Sequence, residues 1–232
     1  MPIKERVKGK EHPDTLATRY LEAQLLEETG KPEEALAKVR TLLLRRERLQ
    51  GQEHSATLST RGLEAHLLKE TGKPLEALAK VKDLLPIEKR VKGTEHPDVL
   101  RTQILEIKLL TVAGKPEEAL TKVKDILPIQ ERIDGIDHPE TLATRYLEAE
   151  LLTFMDKPED AFAKVKALLP IAQRILGQEN RDTLRMKWLR AILWAGMERQ
   201  EEALSELKTI LPLQIHASVS YTHLTLPTKR IV

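Results

Sequence analysis

Apolar side chains recur along this chain at helical spacing. Ala35, Leu36, Val39, Leu42 and Leu43 form a stripe with a period near 3.6 residues, and Leu21, Ala23, Leu25 and Leu26 form another just upstream. Between them stands Gly30-Lys31-Pro32-Glu33-Glu34. It reads as a glycine just past one helix, then a proline in the first turn of the next, with two carboxylates that complement that helix's dipole. The first helix opens in the same way at His12-Pro13-Asp14 and runs to about Thr29; the second ends at Gly51. No segment alternates with the period of two expected of a strand, so the chain is expected to be all-α.

The same pattern returns every 42 residues. Gly9, Gly51, Gly93, Gly135 and Gly177 keep that spacing, as do His12, His54, His96 and His138, Leu16 through Leu184, and Ala35 through Ala203. Twelve of the thirteen prolines fall in three columns at this period, which chance does not arrange. Five two-helix units follow, over residues 10–51, 52–93, 94–135, 136–177 and 178–217. A helix pair of this size cannot bury its apolar face alone, so neighbouring units must stack and share a core.

Three columns carry more specific expectations. Pro86, Pro128 and Pro170 stand inside the second helix, and apolar spacing continues past them through Ile87 and Val91, Ile129 and Ile133, and Ile171 and Ile175. That helix should continue with a bend; each proline removes one backbone hydrogen bond, at about 3 kcal/mol in an unadapted helix. Arg19, Arg61 and Arg145 precede Glu22, Glu64 and Glu148 by three residues, which predicts a solvated ion-pair ladder on one helix face. Arg48, Arg90, Arg132 and Arg174 favour the dipole at the end of the second helix. The histidines would lie one per unit along a stack rather than converge as a metal site requires, so a capping or packing role is expected, and no metal.

Composition narrows the chemistry. There is no cysteine, hence no disulfide, no thiol nucleophile and no cysteine zinc site. Only seven residues are aromatic, which suits a thin extended core better than a deep pocket. The first residues are not a secretory signal and no apolar run approaches the ~20 residues of a membrane helix, so a soluble cytoplasmic protein is expected. H-E-x-x-H, G-x-S-x-G and G-x-G-x-x-G are all absent. Gly-Lys-Pro at 30–32, 72–74 and 114–116 lacks the upstream glycine and the following Ser or Thr of a phosphate loop. No catalytic residue and no cofactor are expected.

These residues resemble the tetratricopeptide repeat superfamily in a long, 42-residue form, through the spacing of Ala23, Gly30 and Ala35-Leu36. His138-Pro139-Glu140-Thr141-Leu142-Ala143-Thr144-Arg145 is similar to repeats of kinesin light chains, and still more to bacterial arrays that follow NB-ARC or STAND-type ATPases. The resemblance covers about residues 2–217. It implies a right-handed α-solenoid of antiparallel helix pairs, a superhelix that binds a protein or peptide in a groove lined by the first helix of each pair. The paired asparagines of light-chain repeats are missing here, where Tyr20-Leu21, Gly62-Leu63, Ile104-Leu105 and Tyr146-Leu147 stand instead. Placed on that implied groove by helix position are Tyr20, Gln24, His66, Lys69, Arg101, Lys108, Tyr146 and Glu150.

Both ends depart from the pattern. Residues 2–9 reproduce residues 86–93, so residues 1–9 are read as the end of a preceding repeat, and the chain as a fragment of a longer array. The fifth unit replaces His-Pro by Asn180-Arg181 and gains Trp188 and Trp194, expected to pack. Residues 218–232 share nothing with the array and read as a disordered or artefactual tail. That tail holds Lys229 and Arg230 and no acid. Without it, the formal net charge of +2 falls to zero, which removes the faint case for nucleic acid. The first reading is therefore a non-catalytic interaction scaffold. A sensor array of a larger signalling ATPase is the alternative, and a helical-repeat nucleic-acid binder a weaker one. No membrane partner is expected, and the oligomeric state is left open.

Overall fold

The computed structural model describes residue 9 and residues 11–216. The repeat remnant at residues 1–8 and the tail from residue 217 on lie outside the described residues. Among the described residues there are ten helices and no strand: α1 (Pro13–Glu28), α2 (Pro32–Gln50), α3 (Ser55–Glu70), α4 (Pro74–Lys92), α5 (Pro97–Val112), α6 (Pro116–Ile133), α7 (Pro139–Phe154), α8 (Pro158–Ile175), α9 (Arg181–Gly196) and α10 (Gln200–His216). The chain forms two compact units, residues 1–133 and 134–232. In the first, each of α1 to α6 packs on the next, and α3 also meets α5; in the second, α7 to α10 pack in order and α9 meets α7. This is an α-solenoid of helix pairs.

The helix boundaries follow from side-chain chemistry. His12, His54, His96 and His138 each cap the helix that follows, the imidazole Nδ1 accepting the backbone N–H two residues on at 3.1–3.3 Å. In the fifth pair the Asn180 side-chain oxygen accepts from the Asp182 N–H at 2.9 Å. Capping satisfies one of the four backbone donors that a helix start leaves unpaired. At the far end of α1, Gly30 N–H donates to the Glu27 carbonyl and Lys31 N–H to that of Leu26, a Schellman closure. It needs a left-handed residue, and Gly30, Gly72 and Gly114 supply it with φ of 73° to 76°. Asp156 and Glu198 hold the same place at φ 58° and 60° without being glycine. Pro86, Pro128 and Pro170 lie within α4, α6 and α8, which run on through them as the apolar spacing predicts.

The charged columns behave differently from expectation. Glu64, Glu106 and Glu148 are buried rather than solvated. Each meets a lysine of the second helix in its own pair: Lys80–Glu64 at 3.1 Å, Lys122–Glu106 at 3.0 Å and Lys164–Glu148 at 2.8 Å, with Lys38–Glu22 at 2.7 Å in the first. Arg61, expected beside Glu64, pairs with Glu47 of α2 at 2.8 Å. The sequence reading looked along one helix, whereas the carboxylates turn toward the partner helix. In the fifth pair the polarity is reversed: Arg190 occupies the glutamate place and Glu206 the lysine place, 2.7 Å apart. The arginines ending the second helices also close across the pair, Arg90 on Glu53 at 2.5 Å and Arg174 on Asp137 at 2.6 Å, with Arg48–Glu11 and Arg132–Glu95 alike. These are exposed and contribute at most about 1 kcal/mol each.

Two outcomes follow. Glu106→Lys leaves two cations facing each other at a buried site and should lower unfolding free energy by about 3 kcal/mol. The reversed pair Glu106→Arg with Lys122→Glu should recover most of that in urea unfolding, since Arg190–Glu206 is that arrangement. His54→Ala should cost about 1 kcal/mol, and His54→Asn should cost little, because Asn180 already performs the same cap.

Candidate interaction surface

The groove candidates lie on the first helices of the pairs and divide between the two units. In the first unit, Tyr20 and Gln24 stand on α1, His66 and Lys69 on α3, and Arg101 and Lys108 on α5. All are partly or fully exposed. His66 Nε2 lies 2.7 Å from Glu27, Lys69 Nζ 2.5 Å from Glu70, and Arg101 3.0 Å from Asp98. The face is thus polar, with Lys69 and Arg101 each answered by an acid and the His66 imidazole set against the Glu27 carboxylate. The Tyr20 ring lies 5.3 Å beneath the Arg46 guanidinium, and burial raises the pKa of its hydroxyl.

In the second unit, Tyr146 departs from the groove expectation. It is 5% exposed, with Arg185 stacked 5.3 Å over its ring and its hydroxyl donating to the Arg185 carbonyl at 3.5 Å. Burial, then the charge of Glu150, push its pKa well above the ordinary value. Tyr146 thus lies in the junction with the next helix pair rather than on the outward face. Glu150 is partly exposed and lies 3.6 Å from Arg185. Trp194 packs as expected, 5.8 Å from Phe162, with Arg190 and Arg199 over its ring at 4.8 and 5.5 Å.

Sequence reasoning missed a buried polar column at the junctions between pairs. Arg46, Glu88 and Gln130 recur at 42-residue spacing and all three are buried. Arg46 donates to the Ala56 carbonyl and the Thr60 hydroxyl at 2.6 Å, tying α2 to α3. Glu88 lies 3.4 Å from Lys92, which is itself buried and reaches Asp98 at 2.7 Å and Ser59 at 3.1 Å. Burial raises the Glu88 pKa, against hydrogen bonding from Thr102 and the charge of Lys92. Burial also pushes Asp98 up, but the hydrogen bond and charge of Lys92, then Arg101 and Ser59, hold it below the ordinary value. The signal was present in the spacing: the column stands four residues after the apolar column of Leu42, Leu84 and Ile126, hence on the same buried helix face.

A cleft of about 240 Å³ opens between α2, α3 and α4, lined by Leu43, Glu47, Arg61, Glu64, Lys80, Asp83 and Leu84. None of the groove candidates lines it, and four of its five charged residues are paired, Arg61 with Glu47 and Lys80 with Glu64. Among the described residues no group of three or more His, Asp or Glu is placed to hold a metal ion, and no helix is long and apolar enough to cross a membrane.

No protein-family model matches the chain, and no curated protein does. Solved structures do. A Podosopora anserina protein of nearly identical TPR-like repeats, described as a kinesin light chain, superposes with a TM-score of 0.70 at 20% identity, over 90% of this chain and all of that one. BtubC from P. vanneervenii gives 0.72 at 16% identity, over 90% and 83% of the two chains. Bacillus thuringiensis PlcR, solved with the peptide PapR7 and DNA, gives 0.68 at 14% identity, over 94% and 76%. At these identities the likeness is one of fold: the chain adopts a tetratricopeptide-like arrangement of helix pairs.

The buried column yields a pH test. A carboxyl whose folded pKa is raised favours folding fully below its unfolded pKa, and that contribution is lost as pH rises through the folded value. Glu88→Gln, the residue found at Gln130 in the same column, should therefore raise stability at neutral pH. The gain should shrink as the pH falls through the raised Glu88 pKa into the ordinary carboxylate range, read by thermal unfolding at a series of pH values.

Proposed function

We propose that this chain is a non-catalytic protein-interaction scaffold that takes an extended peptide or a segment of a partner protein along the exposed face of α1, α3 and α5. The observation that carries the reading is a contrast within the repeat. The apolar packing columns, such as Leu16 through Leu184 and Ala35 through Ala203, repeat from pair to pair, whereas one outward position of the first helix reads Gln24, His66, Lys108, Glu150 and Ile192. A surface released from packing and differing at each step can recognise a sequence rather than a bulk property. PlcR, of similar fold, is solved with a peptide bound, which supports the class of ligand. The face mixes Lys69, Arg101 and Lys108 with Glu27, Glu70 and Asp98, so a peptide of mixed charge fits better than a polyanion.

Selection of a displayed random-peptide library on the purified chain, followed by fluorescence anisotropy, tests this. Arg101→Glu with Lys108→Glu should weaken the selected peptides at least about tenfold, a loss near 1.4 kcal/mol. Lys124→Glu, exposed on the second-helix row, should leave binding unchanged. Failure to select any peptide, or equal binding by both variants, would overturn the proposal.

A further inference from the structure

Of the nine aspartates in this chain, Asp134 alone is followed by glycine; the single asparagine, Asn180, is followed by arginine. Six of the nine, Asp14, Asp83, Asp98, Asp125, Asp160 and Asp182, lie inside helices, where the regular backbone fixes the next nitrogen in a helical turn. Asp137 and Asp156 lie outside helices, but the next residues are His138 and Lys157, whose side chains crowd the amide between. Asp137 is also engaged by Arg174 at 2.6 Å.

Asp134 differs in each respect. α6 ends at Ile133, so Asp134 stands in the turn that follows, and it is exposed. Gly135 has φ 99°, a conformation that glycine adopts freely. A Cβ built on Gly135 would meet nothing within 4 Å, so no atom beyond its chain neighbours crowds that side of it. The repeat supplies the contrast. The same backbone place is Gln50-Gly51, Lys92-Gly93 and Leu176-Gly177 in other pairs, with φ of 89°, 91° and 95° at the glycine. The glycine recurs for its conformation, but only at Asp134 does a carboxyl one carbon from the backbone precede it.

We propose that Asp134-Gly135 is a site of spontaneous aspartate isomerisation. The Gly135 amide nitrogen attacks the side-chain carboxyl carbon of Asp134. A C–N bond forms, the amide proton and the carboxyl hydroxyl leave as water, and a five-membered succinimide results. Water then adds to one of its two carbonyls and opens the ring. Addition at the side-chain carbonyl restores aspartate. Addition at the main-chain carbonyl leaves the chain running through the side-chain carboxyl: an isoaspartate of unchanged mass, with one more backbone carbon and a free α-carboxylate. The step needs no oxidant, reductant or enzyme. The extra carbon falls between α6 and α7, outside both helices, at the first residue of the second compact unit. The new α-carboxylate is the group to which carboxyl methyltransferases specific for isoaspartate transfer a methyl group from S-adenosylmethionine. The proposal does not depend on peptide binding.

Ageing the purified full chain for weeks at neutral pH, then digesting it for mass spectrometry with electron-transfer fragmentation, tests this. Isoaspartate should accumulate at Asp134 to several times the level at any other aspartate. The aged chain should accept labelled methyl groups from an isoaspartate methyltransferase in proportion. Asp134→Glu keeps the charge but would have to close a six-membered ring, and Asp134→Lys copies Lys92 in the same column. Both variants should lose the labelling. The chain unfolded in urea isolates the part played by the fold, and there Asp134 should isomerise within a few-fold of its folded rate. No isoaspartate at Asp134 in the folded chain, undiminished labelling of either variant, or a folded rate far below the unfolded one overturns the proposal.

Discussion

Two packed helices of sixteen to nineteen residues leave apolar side chains on two sides, and a partner helix covers only one of them. Every other feature of the chain follows from that constraint. A second-helix stripe such as Ala77, Leu78, Val81, Leu84 and Leu85 is buried because a first helix lies on each side of it. Burying a leucine fully is worth roughly 1.5–3 kcal/mol, so stacking of pairs, not the intrinsic helix propensity of either helix, supplies the stability. The same demand explains why small residues recur at Ala23, Ala65, Ala149 and Ala191, all buried where helices approach closely.

Apolar packing alone does not fix register, because leucine stripes slide past one another at little cost. The carboxylate column does. Glu64, Glu106 and Glu148 are desolvated and held by one lysine each from the partner helix, so a slip of one turn would leave a buried charge unpaired, at about 3–5 kcal/mol. The reversal at Arg190 and Glu206 is the strongest sign that the pair itself matters, since both members change sign together and remain in contact. Arg46, Glu88 with Lys92, and Gln130 play the corresponding part between pairs, each with a different polar solution at one place.

Much of the fold was legible because its period is written in residues with few conformational options. Proline in a first helical turn, glycine at positive φ and a histidine before Pro-Asp each mean nearly one thing locally; prolines mark the starts of seven of the ten described helices, and the 42-residue period extends them to α3, α9 and α10. What was not legible is the direction in which charged side chains turn. Arg61 and Glu64 are neighbours on a helix surface, yet they pair with Glu47 and Lys80 on two other helices. Three-residue spacing says which groups share a face but not what covers it. Tyr146 shows the same limit: its place on the helix is that of Tyr20, and an arginine stacks on each ring, yet Tyr146 is buried at its junction while Tyr20 stays partly exposed.

The distinction between uniform and varied positions separates two kinds of recognition in one chain. Uniform positions are those whose surroundings are the same at every step, and a surface that suits one junction suits them all. Generic complementarity of this sort is what joins α2 to α3 and α4 to α5 in the first unit, and α8 to α9 in the second. The varied outward positions are free of that demand, so Gln24, His66 and Lys108, each partly or fully exposed, can differ without disturbing the stack. A ligand reading that face would meet a different side chain about every helix pair, giving specificity by sequence order.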